Sequence, residues 1–173
     1  MLRLARLHLE RLRDQLHKRG QRPSMILATT DPNVAEAVQI LEEYGPMCEA
    51  MYLVMAADGR MFNVEREVMR GALDVLSNGR VRTRHMEAMI DASARAAAQE
   101  GQDTRLRKVV DALRDDPLRA ETTLVLAAAV AAADGKIAPE EQVMFDTLAR
   151  GLEIDEERAT KLLEDLTEQL DKK

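Results

Sequence analysis

The sequence has no tryptophan, two tyrosines, two phenylalanines, one cysteine, five prolines and eight glycines in 173 residues. Each scarcity excludes something. Four aromatic side chains, Tyr44, Tyr52, Phe62 and Phe145, are too few for a platform on which bases stack. The lone Cys48 cannot form an intramolecular disulfide, and no Cys/His spacing resembles a zinc site. A reducing cytoplasm is therefore the expected setting. His8, His17 and His85 are scattered, with no histidine four residues away, and are expected on helix surfaces. No phosphate loop is present, since Gly59 and Gly135 stand alone. No nucleophile–base constellation accompanies the acids, so catalysis is not expected. Cys48 falls in an apolar helical stretch and reads as a buried structural thiol.

Runs of β-branched residues are also missing, while Leu, Ala, Met, Glu, Arg and Asp abound; this composition favours helix nearly throughout. Ten methionines at helical spacing read as core filler. The longest apolar run, Leu124 to Ala133, is too short and too alanine-rich to span a membrane. It reads instead as a helix at the centre of a bundle, with small residues permitting close approach.

Charge is unevenly spread. Residues 1–22 carry seven Lys/Arg against Glu10 and Asp14, a balance of +5 within a total of −6, leaving an acidic body of −11. Such a body does not suit nucleic acid. Within the arm, Leu2, Ala5, Leu9, Leu12 and Leu16 recur three and four apart, and Leu4 and Leu7 widen the stripe. This predicts an amphipathic helix over 2–19. Charges interrupt it throughout, so it is not a secretory signal. Three roles are open to it: a helix docked on the acidic body, a partner-binding or self-associating helix, or a peripheral contact with an anionic membrane surface.

Punctuation divides the rest. Gly20 and Pro23 end the first helix, and Met25 to Ala28 is a short apolar run of undecided structure. Asp31-Pro32 predicts a helix start, and Gly45-Pro46 a stop followed by a new, largely buried helix to about Ala57. Asn63 is the expected N-cap of a helix to Ser77, which Asn78-Gly79 ends. Thr83 is expected to cap another to Gln99, and Gly101 to separate two halves. Thr104 opens the second half, Asp116-Pro117 repeats the Asp-Pro start, Pro139 begins a helix that Gly151 closes, and Asp155 caps the last. The expectation is an all-α, compact bundle of about eight or nine helices, built from two pseudo-symmetric repeats (31–100 and 102–171) within a domain over 31–173. The amphipathic helix of residues 1–22 precedes it.

The repeat is plainest at two loops. Ala56-Ala57-Asp58-Gly59 and Ala132-Ala133-Asp134-Gly135 each end an apolar helix, and a glutamate follows seven residues after each aspartate, Glu65 and Glu141. Both acids recur at a separation of 76 residues, although neighbours differ: Asn63 against Pro139, Val64 against Glu140, Met61 against Ile137. Aspartate at a helix C-terminus opposes the helix dipole. One explanation is structural: Asp-Gly makes a turn and the glutamate complements the next helix. The other is a site. An aspartate and a glutamate converging across a short loop, desolvated together, favour a cation. Hard oxygen ligands alone argue for Ca²⁺, Mg²⁺ or Mn²⁺. The pattern is not an EF-hand, which needs oxygen ligands at alternate positions before its glycine.

The stretches AADGRMFNVEREVM and AAADGKIAPEEQVMFDTLARGLEID resemble the TerB-like domain, found in tellurite-resistance TerB and in the N-terminal part of DjlA-type co-chaperones. The likeness covers roughly residues 45–170 and is closer in the second copy, with its Pro-Glu-Glu helix opening. It implies an all-helical bundle, a bacterial cytoplasmic or membrane-associated stress-response setting, and a divalent-cation site at Asp58, Glu65, Asp134 and Glu141. No J-type His-Pro-Asp motif is present, so chaperone recruitment is not implied. Two functions are carried forward. One is a non-enzymatic, cation-binding module in a tellurite- or envelope-type stress response. The alternative is a metal-free scaffold whose basic N-terminal helix docks a protein partner or an anionic membrane; an oligomer is compatible with either.

Overall fold

The computed structural model describes residues 4–21 and 34–172. Among them are eight helices and no strand: α1 (Arg6–Gly20), α2 (Val34–Met55), α3 (Asn63–Ser77), α4 (Thr83–Glu100), α5 (Gln102–Leu113), α6 (Pro117–Ala131), α7 (Pro139–Gly151) and α8 (Glu156–Asp171). The Met25–Ala28 run and the Asp31-Pro32 helix start lie outside the described residues.

Two helices form the centre. In α2, Met47 to Met55 are all buried, and in α6 so are Thr123 to Ala131. The alanines of α6 let neighbouring backbones approach, and α2 packs directly against it. The other helices cover this pair, burying stripes such as Leu106, Val109, Val110 and Leu113 of α5. No described helix is long and apolar enough to cross a membrane.

Pro46 does not stop a helix. It sits inside α2, which runs without interruption from Val34 to Met55. Proline removes a backbone donor and crowds the preceding turn, a cost of about 3 kcal/mol. Burying nine consecutive residues after it outweighs that cost, at roughly 1.5–3 kcal/mol for each large apolar side chain. The Arg119 guanidinium donates to the Glu43 carbonyl in the turn before Pro46. In the second half the corresponding helices stay apart as α5 and α6. There Asp116 accepts from the Arg119 amide as N-cap and Pro117 takes the first helical position, as the Asp-Pro signal implies.

Four smaller expectations also shift. Phe62 and Arg82, not Asn63 and Thr83, are the N-caps of α3 and α4, and Gly101, not Thr104, precedes the first turn of α5. His85 is buried, its Nδ1 accepting from the Arg82 amide at 3.1 Å, where a surface histidine was expected. Burial and the charges of Arg84 and Arg82 push its pKa down. α7 does end at Gly151, but the residue there with positive φ is Glu153, while a Cβ on Gly151 would meet Val110 Cγ2 at 2.8 Å. That glycine serves the packing of α7 on α5.

The basic helix α1 is docked on the body. Leu9, Leu12 and Leu16 join the common core, and α1 lies along α3 with further contacts to α6 and α8. Polar pairs line the seam: His17 Nε2 is 2.6 Å from Glu67, Arg19 is 3.2 Å from Asp74, and Arg11 pairs with Asp171.

Candidate functional site

The two Asp-Gly loops are superposable hydrogen bond for hydrogen bond. In the first, the Ala56 amide donates to the Tyr52 carbonyl, Ala57 to Val54, Gly59 to Ala56, and Arg66 to Phe62. In the second, Ala132 donates to Ala128, Ala133 to Val130, Gly135 to Ala132, and Gln142 to Ala138. Every donor and acceptor is displaced by the same 76 residues. Gly59 and Gly135 turn the chain with φ of 78° and 87°, a region that an added Cβ disfavours.

The acids complete the set. Asp58 Oδ1 accepts from the Arg60 amide at 2.8 Å and Asp134 Oδ1 from the Lys136 amide at 2.9 Å. These Asx turns hold each loop just past its helix. Glu65 Oε2 accepts from the Phe62 amide at 2.6 Å and Glu141 Oε2 from the Ala138 amide at 2.7 Å. Both glutamates are the third residue of their helix and reach back to the N-cap amide. This is one half of a capping box, and neither Phe62 nor Ala138 has a side chain that can return the bond.

Capping explains these contacts but not the burial. An N3 glutamate normally sits at the surface, yet Glu65 is 3% and Glu141 4% exposed. The two lie close enough across the loops for each carboxyl to act on the other. Burial pushes the Glu65 carboxyl up to about 6; the Phe62 amide opposes this, while the charges of Asp134 and Asp58 add to it. Burial likewise pushes Glu141 up to about 7 against the Ala138 amide, with Glu65, Asp58 and Asp134 all adding to the rise. Both glutamates therefore feel the charges of both aspartates across the two loops. The glutamates are buried, while Asp58 is half-buried and Asp134 exposed at the rim.

Among the described residues, no group of three or more His, Cys, Asp or Glu side chains is already gathered into a metal-binding cluster. The chemistry of the donors nonetheless fits a hard cation. Two buried carboxyls close together have a deficit of positive charge, and no described lysine or arginine is paired to either of them.

Several neighbours of this site carry no sequence signal of their own. Phe62 and Ala138 donate amides to the glutamates, and only alignment at the 76-residue offset pairs them. Arg13 of α1 reaches the second loop, its Nη1 3.4 Å from the Ala132 carbonyl, from 119 residues away. Cys48 is buried, and burial pushes its thiol far up, so it is inert.

These features define an all-helical module organised around a duplicated Asp-Gly loop whose two glutamates are buried close together. Residues 46–164 match the family described as tellurite resistance protein TerB. The chain belongs to the TerB family. The matched segment begins at Pro46 within α2 and ends in α8, so α1 lies outside it although it contributes to the core. No curated protein and no solved structure matches the chain significantly.

Proposed function

We propose that this chain is a non-enzymatic TerB module that binds a divalent cation between its two Asp-Gly loops and acts in a bacterial stress response of the tellurite or envelope type. One observation carries the reading: Glu65 and Glu141, buried close together, each feel the charges of Asp58 and Asp134. Two carboxyls so placed must either hold protons or share a cation. Glu65 and Glu141 would hold the ion, Asp58 and Asp134 would add charge from the rim, and loop carbonyls or water would complete the shell. Oxygen donors select Ca²⁺, Mg²⁺ or Mn²⁺ over zinc or copper.

The test is a melting-temperature titration with each of the three ions against a chelator. An ion at a hundred times its Kd stabilises the folded state by about 2.7 kcal/mol. The shift should vanish in Glu65→Gln/Glu141→Gln and shrink in Asp58→Asn/Asp134→Asn. If none of the ions moves the melting temperature of the wild-type chain, the cation reading is wrong.

The capping bonds favour a second, metal-free reading, in which the acids only hold the loops and the module is a protein-interaction scaffold. On that reading the aspartate pair matters for stability with or without chelator, and by the same amount. Docking of α1 leaves Arg6, Leu7, Arg11, Lys18 and Arg19 on the surface as the part of that helix available to a partner or an anionic membrane.

A further inference from the structure

A cavity of about 330 Å³ lies between α1, the C-terminal half of α6 and the start of α7. It is outside the carboxylate cluster, although Gly135 and Lys136 of the second loop form one side of it. Its floor is apolar: Leu4, Leu9, Ala128, Ala131, Ile137 and Phe145. Its size is at the lower end of the ~300–1,000 Å³ usual for small-molecule pockets. Water gains little there, because a stable water needs two to four polar partners and this floor supplies few.

The mouth is different. Arg6, Arg13 and Lys136 stand around it with Glu10 and Gln142. Arg6 is matched by Glu10 at 2.8 Å on the outer face of α1. Arg13 directs Nε and Nη2 outward to Asp14, at 2.9 and 2.7 Å. Its remaining nitrogen, Nη1, turns inward, where it makes only a long 3.4 Å bond to the Ala132 carbonyl. That nitrogen is 4.0 Å from where a Cβ on Gly135 would stand, which puts it at the edge of the second loop. The Lys136 ammonium is exposed and makes no ion pair with any described residue. An apolar floor with two donors of positive charge at the opening complements a molecule with an apolar body and an anionic head.

We propose that this cavity binds a medium-chain carboxylate, its acyl chain lying on the α1–α6 floor and its carboxylate held at the mouth by Arg13 and Lys136. Arg13 Nη1 has donor capacity left for a charge-assisted bond, and the lysine adds a second contact. The chain length is bounded by the volume. Each methylene that still fits tightens binding by about fourfold, and one that does not fit adds nothing.

The proposal is tested on the full chain by calorimetric titration with octanoate, decanoate and dodecanoate below their micelle concentrations. Decanol and decyltrimethylammonium serve as neutral and cationic controls. The expected result is saturable binding that tightens about fifteenfold from octanoate to decanoate and levels off thereafter, with the cation at least tenfold weaker than decanoate. Arg13→Gln should weaken decanoate several-fold, and Arg13→Gln/Lys136→Gln should bring it down to the level of decanol, roughly tenfold, without affecting decanol itself. Ala131→Leu fills the floor and should abolish binding of the whole series. Should that variant fail to fold, Ile137→Trp narrows the cavity from its partly exposed side and should have the same effect. The proposal is overturned if decanoate does not bind, if carboxylate and cation bind equally, or if neither Arg13→Gln nor Ile137→Trp weakens decanoate.

Discussion

Gly20 of α1 and Gly71 of α3 are placed so that neither helix can carry a side chain at the other's surface. A Cβ on Gly20 would collide with the Glu67 carbonyl of α3, and one on Gly71 with the Leu16 carbonyl of α1. The obstacle on both sides is backbone, which cannot rotate away. This contact lets α1 sit low enough on α3 to bury Leu12 and Leu16 completely, and it lets the Arg70 guanidinium cap the end of α1 at the Gly20 carbonyl. Gly71→Ala should therefore lift α1 from the body and cost about 3 kcal/mol or more, the upper part of the range for overpacking. Urea denaturation measures the loss, and faster proteolysis near residue 20 locates it. Gly151→Ala meets only the Val110 methyl groups. It should cost about 1 kcal/mol, because a side chain can give where backbone cannot. Equal costs for the two would contradict the backbone contact.

Glu49, in the buried stretch of α2, is held by Arg105 of α5 through two bonds of 2.7 and 2.8 Å, and Glu100 adds a weaker contact to the same guanidinium. Both side chains of the main pair are largely buried, at 11% and 19% exposure. Removing one charge from such a pair strands the other, at about 3–5 kcal/mol. Arg105→Met should accordingly destabilise far more than the double variant Glu49→Met/Arg105→Met, in which two apolar side chains meet. Chemical denaturation of the four proteins gives the coupling directly; additive effects would mean that the pair is not coupled.

The glutamate pair fixes the sign of a pH dependence. In chelator, the Glu65 and Glu141 carboxyls at about 6 and about 7 lie above their ordinary value of 4.5. The folded state thus keeps protons that the unfolded chain has released. The contribution is complete below about pH 4.5 and is lost as pH rises through the folded values. Stability of the cation-free protein should fall by something on the order of 4 kcal/mol between pH 4.5 and 7.5. Glu141→Gln, neutral at every pH, should flatten that slope. The difference between the two proteins isolates the pair from the rest of the chain. If the loops take a cation as proposed, saturating Ca²⁺ would bind the deprotonated form and should reverse the slope. A cation-free wild type with the same pH profile as Glu141→Gln would show that the carboxyls do not interact.

How much of this was legible follows from what each feature depends on. The buried helix α6, its Asp116-Pro117 start and the duplicated loops rest on local signals, a continuous apolar run, a cap and a repeat, and these can be seen in the chain itself. The matched spacing of Asp58 with Glu65 and Asp134 with Glu141 was equally visible. That the two glutamates lie close together was not, because their proximity depends on how α3 and α7 pack around the centre. Pro46 is a local stop signal that tertiary burial overrides. The whole-chain repeat is less complete than its loops, since α2 fuses what α5 and α6 keep separate. Gly20 reads as a helix end; its close approach to Gly71 exists only once α1 and α3 are in contact. His85 looked like a surface residue because the burial of its ring, whose Nδ1 accepts from the N-cap amide of Arg82, is set by how α4 packs on the body.

The loop repeat also makes a stabilising substitution predictable. Asn63 and Pro139 occupy the same place, the first residue of the helix that carries the glutamate. Proline suits that position in any helix, because its missing amide is one the helix does not use and its φ is already helical. The residue before it must be extended, and Phe62 already is, with φ −95° and ψ 154°, close to the −65° and 151° of Ala138 before Pro139. Asn63 is exposed, and neither its amide nor its side chain takes part in the loop bonds that repeat at residues 56–66. Asn63→Pro should therefore raise stability by about 0.5–1 kcal/mol, through the entropy of the unfolded chain, while leaving the bond between the Phe62 amide and Glu65 intact. Thermal and urea denaturation test the first claim. The pH slope tests the second, since a disturbed loop would change the Glu65 contribution and an undisturbed one would not. A loss of stability here would mean that the first loop does not share the backbone of the second.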